Sequence, residues 1–578
     1  MTTVHTSSRW SRLTGLLPRA ADLEAVRRQP RRDVVAGLTV AVVALPLALA
    51  FGISSGLGAG AGLVTAIIAG VVAAVFGGSN LQVSGPTGAM TVVLVPIVAQ
   101  FGRAGVLVVG LFAGAILVAL AVARAGRFMR YIPLPVVEGF TVGIAVIIAL
   151  QQVPAALGVN AEGSTVLLTA VDAISAWTSA PQWVGAAHLA PVLIAVSVAG
   201  AMLVSSRFRP GLPVSLIGVA VATVVVAVTD IDIAVIGAIP AGLPAPALPW
   251  LEPTQLGALL LPAVAVAGLA ALESLLSATV ADAMSVDEHH DPDRELFGQG
   301  LANLVVPLFG GVPATAAIAR TAVNVRSGAQ SRLAAVTQSL ALLVVVLVAA
   351  RWVATIPLAA LAGVLIATAV QMIEVSSVRA LLRATRGDAA ALAITAGATV
   401  VVDLVTAVLL GLIVAGGFAL AQMAASASLS EEPVDPHGHG DEELALRDER
   451  IVAYRLDGPL FFGAAHTFLL ALSEVGDVRV VILRMSRLAT LDATGASVLA
   501  DTIERLEARG VSVLLSGVRA DHEKALTSLG VFRQLAHARH VFDTTPPAIA
   551  HARLHAARRP HGSPDPTPPA DPAEPPEL

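Results

Sequence analysis

Long apolar stretches dominate this chain from residue 34 to residue 425. A transmembrane helix needs about 20 mainly apolar residues to cross the hydrocarbon core of a bilayer. Because backbone groups in lipid must satisfy their own hydrogen bonds, such stretches can cross only as helices. Stretches that reach or approach this length lie at residues 34–52, 58–77, 104–123, 134–152, 188–205, 212–229, 254–280, 332–350, 355–372, 388–405 and 407–425.

Two polar interruptions divide this apolar region. Residues 81–91 (LQVSGPTGAMT) and residues 310–324 (GGVPATAAIARTAVN) each place Gly, Pro and Thr in front of a helix-forming segment. Non-helical backbone at membrane depth is tolerated only where protein shelters it or where it lines a wet cavity. We therefore predict two half-helices, near residues 83–99 and 316–328, that begin inside the membrane beside a shared cavity.

The two interruptions occupy corresponding places in two halves of the apolar region. With a short segment near residues 297–309, the half-helices bring the predicted total to about fourteen segments. An odd number per half gives the halves, residues 34–229 and 254–425, opposite orientations. The predicted fold is an α-helical polytopic membrane protein of two inverted seven-segment repeats, followed by a small α/β domain. This pattern is typical of secondary transporters that bind substrate near the membrane midplane.

We expect the first turns of both half-helices to attract anions. The first N–H groups of a helix have no intrahelical acceptor, and the helix dipole adds a partial positive charge. Small side chains let an oxyanion approach the backbone, although they also serve close helix packing. Arg320 can strengthen the field, pair with Glu273 or extend toward the cytoplasm. The predicted substrate-binding residues here are Thr87, Gly88, Ala89, Ala317, Ile318, Ala319 and Arg320.

Glu273 is the only acid in the apolar run from residue 253 to residue 280. A carboxylate inside a membrane is costly and indicates function unless it has a structural partner. Ser277 lies one helical turn further along the same face. We predict that Glu273 and Ser277 hold a coupling Na⁺ through their oxygens, or that Glu273 takes up a proton. The alternative is a structural carboxylate bonded to the backbone of a broken helix. No other cofactor is predicted.

Arginine placement predicts the orientation of the chain, because cytoplasmic loops hold the excess of Lys and Arg. Every second loop carries arginines, whereas the long loops 153–187 and 230–253 contain no Lys or Arg. Arg103 and Arg351 are exceptions. We predict a multi-pass protein of the cell membrane with both termini in the cytoplasm and residues 1–32 as a cytoplasmic tail.

The composition excludes several classes of function. The sequence has no cysteine, which rules out disulfides, thiolate metal sites and cysteine nucleophiles. It has one lysine, Lys524, and no GxxxxGK[ST] motif, so ATP-driven transport is not predicted. The pair His289 and His290 lacks a spaced partner, and we predict no metal site. Nothing in the charge pattern indicates a nucleic-acid partner.

The character of the chain changes after residue 425. Residues 426–450 form a polar linker, and residues 451–545 predict a small soluble α/β domain. Two apolar strands, VRVVIL (478–483) and VSVLLSGV (511–518), flank a helix-forming segment at 492–510 in a βαβ pattern. Residues 546–578 are rich in proline, and we predict a disordered tail there.

Five motifs resemble one known family in their order along the chain. They resemble the SulP family of anion transporters with its C-terminal STAS domain, and the resemblance covers roughly residues 33–545. The motifs are GLTVAVVALPLALAFGI (37–53), LQVSGPTGAMTVV (81–93), ALESLLSATVADAM (271–284), GGVPATAAIARTAVNVRSG (310–328) and LDATGA (491–496).

The resemblance implies several properties in addition. These are a core domain that holds the half-helices, a gate domain, an elevator-like movement of the core, a homodimer and cytoplasmic protein partners for the STAS domain. It implies that Phe51 and Leu47 line the site, although some members have a Gln where Leu47 stands. Thr494 matches a hydroxyl that is phosphorylated in related soluble domains, although a helix cap is the simpler interpretation.

The leading hypothesis is a secondary transporter of a small inorganic or carboxylate anion, coupled to Na⁺ or H⁺. Family substrates include sulfate, bicarbonate, chloride and dicarboxylates. One alternative is a nucleobase/H⁺ symporter of the same general fold, which would need polar side chains that residues 314–319 do not offer. Another is a membrane-anchored signalling scaffold whose STAS domain recruits partners. No enzymatic activity is predicted.

Overall fold

The computed structural model describes most of the chain. The described residues are 15–127, 133–161, 163, 165–179, 186–208, 212–240, 242–249, 252–285, 288–402, 404–425, 428–431, 449–460, 478–535 and 537–557. They divide into two compact units, residues 1–415 and residues 416–578. The first holds the predicted membrane region, and the second holds the predicted α/β domain.

The first unit consists of helices and one short strand pair. Its first half contains α1 (Ala20–Arg28), α2 (Pro30–Ser54), α3 (Ala59–Phe76), β1 (Ser84–Gly85), α4 (Gly88–Val122), α5 (Leu134–Gln151), α6 (Val153–Leu157), α7 (Val166–Ser179), α8 (Ala186–Phe208) and α9 (Val214–Thr229). Its second half contains α10 (Pro253–Leu256), α11 (Leu260–Met284), α12 (Pro292–Val305), β2 (Thr315–Ala316), α13 (Ile318–Arg326), α14 (Leu333–Val353), α15 (Leu358–Met372), α16 (Val375–Ala384) and α17 (Arg386–Val401). Helix α18 (Leu404–Ala425) follows.

Nine helices in the described part of the chain are long and apolar enough to cross a membrane, and α7 and α9 are shorter apolar helices. The helical polytopic fold with a C-terminal α/β domain is therefore confirmed. The number fourteen stays a prediction, because several predicted segments are short or joined. Helix α4 joins the first half-helix to the segment predicted at 104–123, with a non-helical break at Gly102 (φ 63°).

Two regions predicted as irregular are helical. The segment 153–187, predicted as a long bare loop, contains α6 and α7. The predicted N-terminal tail contains α1, and α2 already begins at Pro30. Asp22 on α1 forms an ion pair with Arg294 (2.5 Å). Burial alone would raise the pKa of Asp22, but this pair lowers that pKa below its ordinary value. Residues 20–32 are therefore held to the body of the first unit by charge.

The strand pair β1 and β2 joins the two interruptions. The strands pair antiparallel, with Ser84 opposite Ala316 and Gly85 opposite Thr315. Both strands are buried. Helix α4 starts three residues after β1, and α13 starts two residues after β2. The interruptions thus satisfy each other's backbone hydrogen bonds at a depth where water is scarce.

The second unit is built on one sheet. Its strands are β3 (Ser428–Glu431), β4 (Ile451–Leu460), β5 (Val480–Arg484), β6 (Leu488–Leu491), β7 (Ser512–Ser516) and β8 (Val541–Phe542). The order is β3-β4-β5-β7-β8, with β6 paired to β4, and all pairs are parallel except β3 with β4. The predicted strands β5 and β7 and the helix between them, α19 (Ala493–Ala508), are confirmed. Two more helices, α20 (Ala520–Ser528) and α21 (Val531–Gln534), follow β7.

The boundaries predicted for this unit were too narrow at both ends. Strand β3, predicted as linker, extends the sheet, and helix α22 (Thr545–Ala556) occupies the start of the predicted disordered tail. Two prolines stand in the first turn of α22, where a missing N–H costs nothing. Ala548, Ala552 and Ala556 follow at intervals of four and are buried in one cluster with residues of β4, β5 and β7. The proline-rich composition therefore led to a prediction of disorder where a helix begins. The rest of the predicted tail, after residue 557, lies outside the described residues.

Candidate functional site

Side chains and backbone from both half-helices meet at the strand pair. The Ala317 N–H donates to the Val83 carbonyl (3.0 Å), which extends the pairing one step beyond β1 and β2. The Val83 N–H donates to the Thr321 hydroxyl (3.1 Å). These bonds hold the starts of α4 and α13 at the two ends of one short ribbon. The amide of Ala317, predicted to bind anion, is consumed by this pairing, so that part of the prediction was wrong.

Glu273 contacts the start of the first half-helix. Its Oε2 accepts a hydrogen bond from the hydroxyl of Thr87 (2.8 Å), the residue that caps α4. The Thr315 hydroxyl and the charge of Arg320 also act on this carboxylate. Glu273 is partly buried, whereas Thr87 is only 7% exposed. A hydroxyl has one proton to donate. Thr87 therefore cannot donate its hydroxyl to an anion while Glu273 accepts it.

Arg320 lies inside the first unit and does not extend toward an aqueous surface, which rules out one of the three roles considered for it. Its side chain is 1% exposed, and Nη2 donates to the carbonyl oxygen of Pro86 (2.7 Å). Nη1 is buried without a hydrogen-bond partner. A Cβ on Gly85 would stand 2.6 Å from Nη1, so the absence of a side chain at Gly85 is what lets the guanidinium approach. An unpaired buried guanidinium nitrogen is costly and indicates a site for an acceptor.

The start of α4 is covered by apolar side chains. Gly88 and Ala89 are buried and have no intrahelical acceptor for their N–H groups. A Cβ on Gly88 would clash with the Ile148 side chain and stand 3.2 Å from the Phe51 ring. Phe51 is 5% exposed. Phe51 thus lies against the first half-helix, where the resemblance put it.

Leu47 is also buried, at 6% exposure, and belongs to the same apolar core as Phe51.

The start of α13 is accessible. Ile318 is 41% exposed, and Ala319 is exposed as well. Helix α13 has no side-chain cap, and its first intrahelical bond runs from the Thr321 N–H to the Ala317 carbonyl. The N–H groups of Ile318 and Ala319 therefore have no acceptor within the helix. The exposure of these two residues makes the first turn of α13 the candidate for first contact with an anion.

Ser277, predicted as a partner of Glu273 in a cation site, points elsewhere. It is fully buried, and its hydroxyl donates to Thr321 on α13 (3.0 Å). The oxygens near Glu273 come from Thr87 and Thr315 instead. Helical spacing alone suggested Ser277, but the packing of α11 against α13 turns that face toward Thr321.

Two site residues were not predicted from the sequence. The Ser274 hydroxyl lies 3.0 Å from the Thr315 hydroxyl and accepts from the Ala316 N–H (3.2 Å). Both could have been suggested from the sequence, because Ser274 directly follows Glu273 and Thr315 belongs to the second interruption. The contact between them depends on how deeply β2 lies against α11, which no local pattern reports.

A second buried carboxylate supports the strand pair from α12. Glu295 accepts from the backbone N–H groups of Gly78 (2.8 Å) and Ser79 (3.2 Å). Gln299 donates to Glu295 Oε1 (2.9 Å) and to the hydroxyl of Ser84 on β1 (2.7 Å). These bonds connect Glu295 through Gln299 to β1, so the buried carboxylate of Glu295 has structural hydrogen-bond partners.

The described residues also enclose a cavity of about 210 Å³, lined by Arg103, Gly310 and the segment 57–61 among others. None of the predicted site residues lines it. We therefore do not assign it to the site at the half-helices.

Thr494 stands in the first turn of α19 in the second unit. The capping bond of that helix comes from Asp492, whose Oδ1 accepts from the Gly495 N–H (2.7 Å). Thr494 is exposed. The capping role proposed for Thr494 thus belongs to Asp492, and phosphorylation of Thr494 stays a prediction.

Comparisons with known proteins agree with this architecture. The sulfate permease family matches residues 31–395, and the STAS domain family matches residues 444–548. The chain is 35% identical over 522 residues to a putative sulfate transporter of Bacillus subtilis, YvdB, covering 89% of this chain and 96% of that protein. It is 31% identical over 531 residues to the bicarbonate transporter BicA of Picosynechococcus, covering 88% and 92%.

Solved structures extend the comparison. The transmembrane domain of a cyanobacterial BicA is 34% identical, with a TM-score of 0.58, over 67% of this chain and 98% of that one. Murine Slc26a9, an anion transporter solved in the inward-facing state, superimposes with a TM-score of 0.82 over 96% of each chain at 18% identity. At that identity the likeness concerns the fold alone. The family matches and the relatives together lead to one conclusion: this chain belongs to the sulfate permease family and carries a C-terminal STAS domain.

Proposed function

We propose that this chain is a secondary transporter of a small oxyanion, with sulfate and bicarbonate as the first candidates and dicarboxylates as the third. The relatives named as sulfate and bicarbonate transporters support these substrates. One observation carries the proposal: a single short ribbon holds two helix starts, an arginine with an unpaired nitrogen and an intramembrane carboxylate. Family membership favours this function over a nucleobase symporter or a signalling scaffold.

The charges around the ribbon explain why an anion and a cation would move together. Each helix start contributes about +0.5 of a charge, so two starts and Arg320 supply about +2. Ionised Glu273 reduces this sum to about +1, and a proton or Na⁺ at Glu273 restores it. Cation binding at Glu273 therefore raises anion affinity, and anion binding raises cation affinity by the same factor. At an effective dielectric constant near 20, one unit charge about 6 Å away changes the anion's energy by about 3 kcal/mol.

The hydroxyl of Thr87 links the two ions structurally. While Glu273 is ionised, Thr87 donates to it and has no proton left for another acceptor. When a proton or Na⁺ occupies Glu273, that hydroxyl is released toward the start of α4. The oxygens of Glu273, Thr87 and Thr315 are hard ligands of the kind that Na⁺ prefers, and no soft ligand stands among them.

The rest of the proposal follows the family. Elevator-like movement of the domain that holds both half-helices would carry the ribbon across the membrane, and a homodimer would anchor the gate domain. The alternation of arginines supports cytoplasmic termini in the cell membrane. The STAS domain would then face cytoplasmic protein partners.

Uptake into proteoliposomes tests the proposal. Purified protein is reconstituted, and uptake of labelled sulfate, bicarbonate and fumarate is measured under imposed Na⁺ and pH gradients, with uracil as the test of the nucleobase alternative. Uptake of one oxyanion driven by one of the two gradients supports the proposal. Uptake of uracil alone, or of no solute by protein that remains folded, would reject it.

The coupling role has its own variant pair. Glu273→Gln keeps the shape of the side chain but removes its charge, so gradient-driven uptake should be lost while the protein remains folded. Glu138→Gln is the matched control, because Glu138 on α5 is also partly buried and also accepts from a hydroxyl, that of Ser377 (2.8 Å). Full gradient-driven uptake in Glu273→Gln would reject the coupling role and leave anion transport itself intact.

A further inference from the structure

Three histidines that are distant from the half-helices converge in the STAS domain. His540 ends the short 3₁₀ turn Ala538–His540 in front of β8, and His551 and His555 lie on α22. One ring nitrogen from each comes within 4.8 Å of the other two. None of them belongs to the motifs by which the sequence resembles its family, and the STAS match ends at residue 548.

Local structure explains the convergence. His551 and His555 are four residues apart, so they stand on one face of α22, one turn from each other. The alanine face of the same helix packs against the sheet. That packing brings the two rings to the start of β8, where the His540 ring lies 5.5 Å from His551 and 4.9 Å from His555 between centroids.

The distance between two of the three rings suits a tetrahedral metal ion. The Nε2 atoms of His551 and His555 are 3.2 Å apart. Two nitrogens on a tetrahedral zinc ion, each at about 2.05 Å from the metal, are about 3.3 Å apart. His540 is fully buried, and neither of its ring nitrogens makes a hydrogen bond of good geometry. A buried imidazole that lies against two others is an arrangement that suits the binding of a metal ion.

We propose that His540, His551 and His555 bind a divalent transition metal ion, with Zn²⁺ as the first candidate, and thereby fasten α22 to the STAS sheet. Imidazole ligands suit Zn²⁺, Ni²⁺ and Cu²⁺, and their affinity for hard ions such as Mg²⁺ and Ca²⁺ is low. Three histidines leave a fourth position for water. His537, exposed and with its ring centroid 5.6 Å from that of His540, is the nearest further imidazole.

The energetics of α22 explain why such an ion would matter. The helix buries mainly alanines, and each alanine side chain removes little apolar area from water. The attachment of the helix therefore depends weakly on packing and strongly on any cross-link at its histidine face. The neutral imidazole is the form that binds metal.

A cluster of imidazole rings without an ion is the competing arrangement. One ring of the pair His551 and His555 can donate an N–H to the other, and His540 can pack edge-on against both. The metal site and the ion-free cluster differ in stoichiometry, in spectrum and in the response of stability to metal.

Metal titration of the full-length protein distinguishes them. Untagged protein in detergent is treated with chelator, dialysed and titrated with ZnCl₂, and bound zinc is counted by elemental analysis. CoCl₂ is used in parallel, because tetrahedral Co²⁺ absorbs strongly in the visible. Thermal unfolding is recorded with and without Zn²⁺, since an ion that binds only the folded state raises Tm.

The variants are His551→Gln and His555→Gln, which alter partly exposed positions and should fold. His522→Gln is the control, because His522 is a buried histidine of the same domain outside the cluster. We expect one zinc per chain in the wild type and the control. In the two variants we expect a Kd at least about 10–100-fold weaker, the loss seen for removing even an outer-sphere partner of a metal ligand.

The metal-free variants should unfold at the same temperature as metal-free wild type, and zinc should raise Tm only in wild type and control. Zinc binding that both variants retain would place the ion elsewhere and overturn the proposal. An absence of zinc binding by the folded wild-type protein would overturn it as well.

Discussion

The two half-helix starts are related by the strand pair, yet they differ in almost every local property. At the start of α4, Thr87, Gly88 and Ala89 are buried, Phe51 and Ile148 cover the backbone, and a capping hydroxyl is bound to Glu273. At the start of α13, Ile318 and Ala319 are exposed, and no side chain caps the helix. The two half-helix starts follow paired strands, but only the start of α13 is exposed.

Under the proposed mechanism, this difference lets one ribbon serve two ions of opposite charge. The exposed start would receive the arriving anion at its first N–H groups. The buried start would offer its hydroxyl to a carboxylate that a cation neutralises. If both half-helix starts were exposed, the anion would meet Glu273 directly. If both were buried, the anion would have no accessible helix start to approach.

A negative charge at the accessible start should have the largest effect on transport. Ala319→Asp places a carboxylate beside the open amides, and at about 4 Å it would oppose an anion by about 1–4 kcal/mol, depending on the local dielectric. We expect oxyanion uptake to fall by about 5-fold to 1,000-fold. Ala319→Asn, of the same shape and neutral, should retain most of the uptake. Equal losses in the two variants would show that the side chain's size matters and its charge does not.

A methyl group at the buried start should act through stability. In Gly88→Ala the new Cβ clashes with Ile148, and overpacking of a core site costs about 1–3 kcal/mol. We expect a lower Tm and reduced uptake. In the double variant, Ile148→Ala should restore part of the Tm and part of the uptake, because it makes room for the methyl group. A Gly88→Ala protein of normal Tm that fails only in anion KM would mean that this start also binds the anion directly.

Loss of the Thr87 hydroxyl should affect the cation and leave the anion largely alone. Thr87→Val removes a hydrogen bond to a charged group, worth about 1.5–3 kcal/mol. We expect the apparent affinity for the coupling ion to change by at least about 10-fold while the anion KM changes less. Thr91→Val is the control, since the Thr91 hydroxyl donates only to the Gly88 carbonyl (2.6 Å). A change confined to the anion KM would reverse the roles assigned to the two starts.

The smallest effect is expected for Asp22, whose replacement tests whether this residue contributes to the pH dependence of uptake. Its folded pKa is depressed, so its ion pair with Arg294 stabilises the protein above the unfolded pKa of about 4. This stabilisation is lost as pH falls through the folded pKa. Asp22→Asn should lower Tm slightly and by the same amount at pH 6 and pH 8. A decrease that varies between these pH values would mean that Asp22 contributes to pH-dependent uptake.

The half-helices could be predicted from the sequence because Gly, Pro and Thr inside an apolar run interrupt a membrane helix, and backbone at that depth needs shelter. Glu273 could be predicted for a similar reason, as the single acid of its run. The partners of Glu273 were not predicted correctly: helical spacing suggested Ser277, whereas Thr315 comes from a strand that packs across α11. The use of the Ala317 amide by Val83 also depends on strand register, which the sequence of either segment alone does not encode.

The STAS domain shows the same limit in a soluble fold. Its strands follow from alternating and apolar runs, but α22 was hidden by the proline-rich composition around it. The histidines at 551 and 555 have the spacing of one helical turn, and the third, His540, precedes them by more than ten residues. Their convergence depends on the packing of α22 against the sheet, which the spacing of the histidines does not indicate.

The most direct test of the division between the half-helices is the dependence of anion binding on the coupling cation. Binding of sulfate or bicarbonate to detergent-solubilised wild type and Glu273→Gln is measured by calorimetry across a range of Na⁺ concentration and pH. We expect the wild-type anion Kd to fall several-fold as the cation concentration rises. We expect Glu273→Gln to bind the anion with a Kd that does not depend on the cation and lies near the value of cation-saturated wild type. An anion Kd that still changes with cation concentration in Glu273→Gln would refute the coupling role of Glu273.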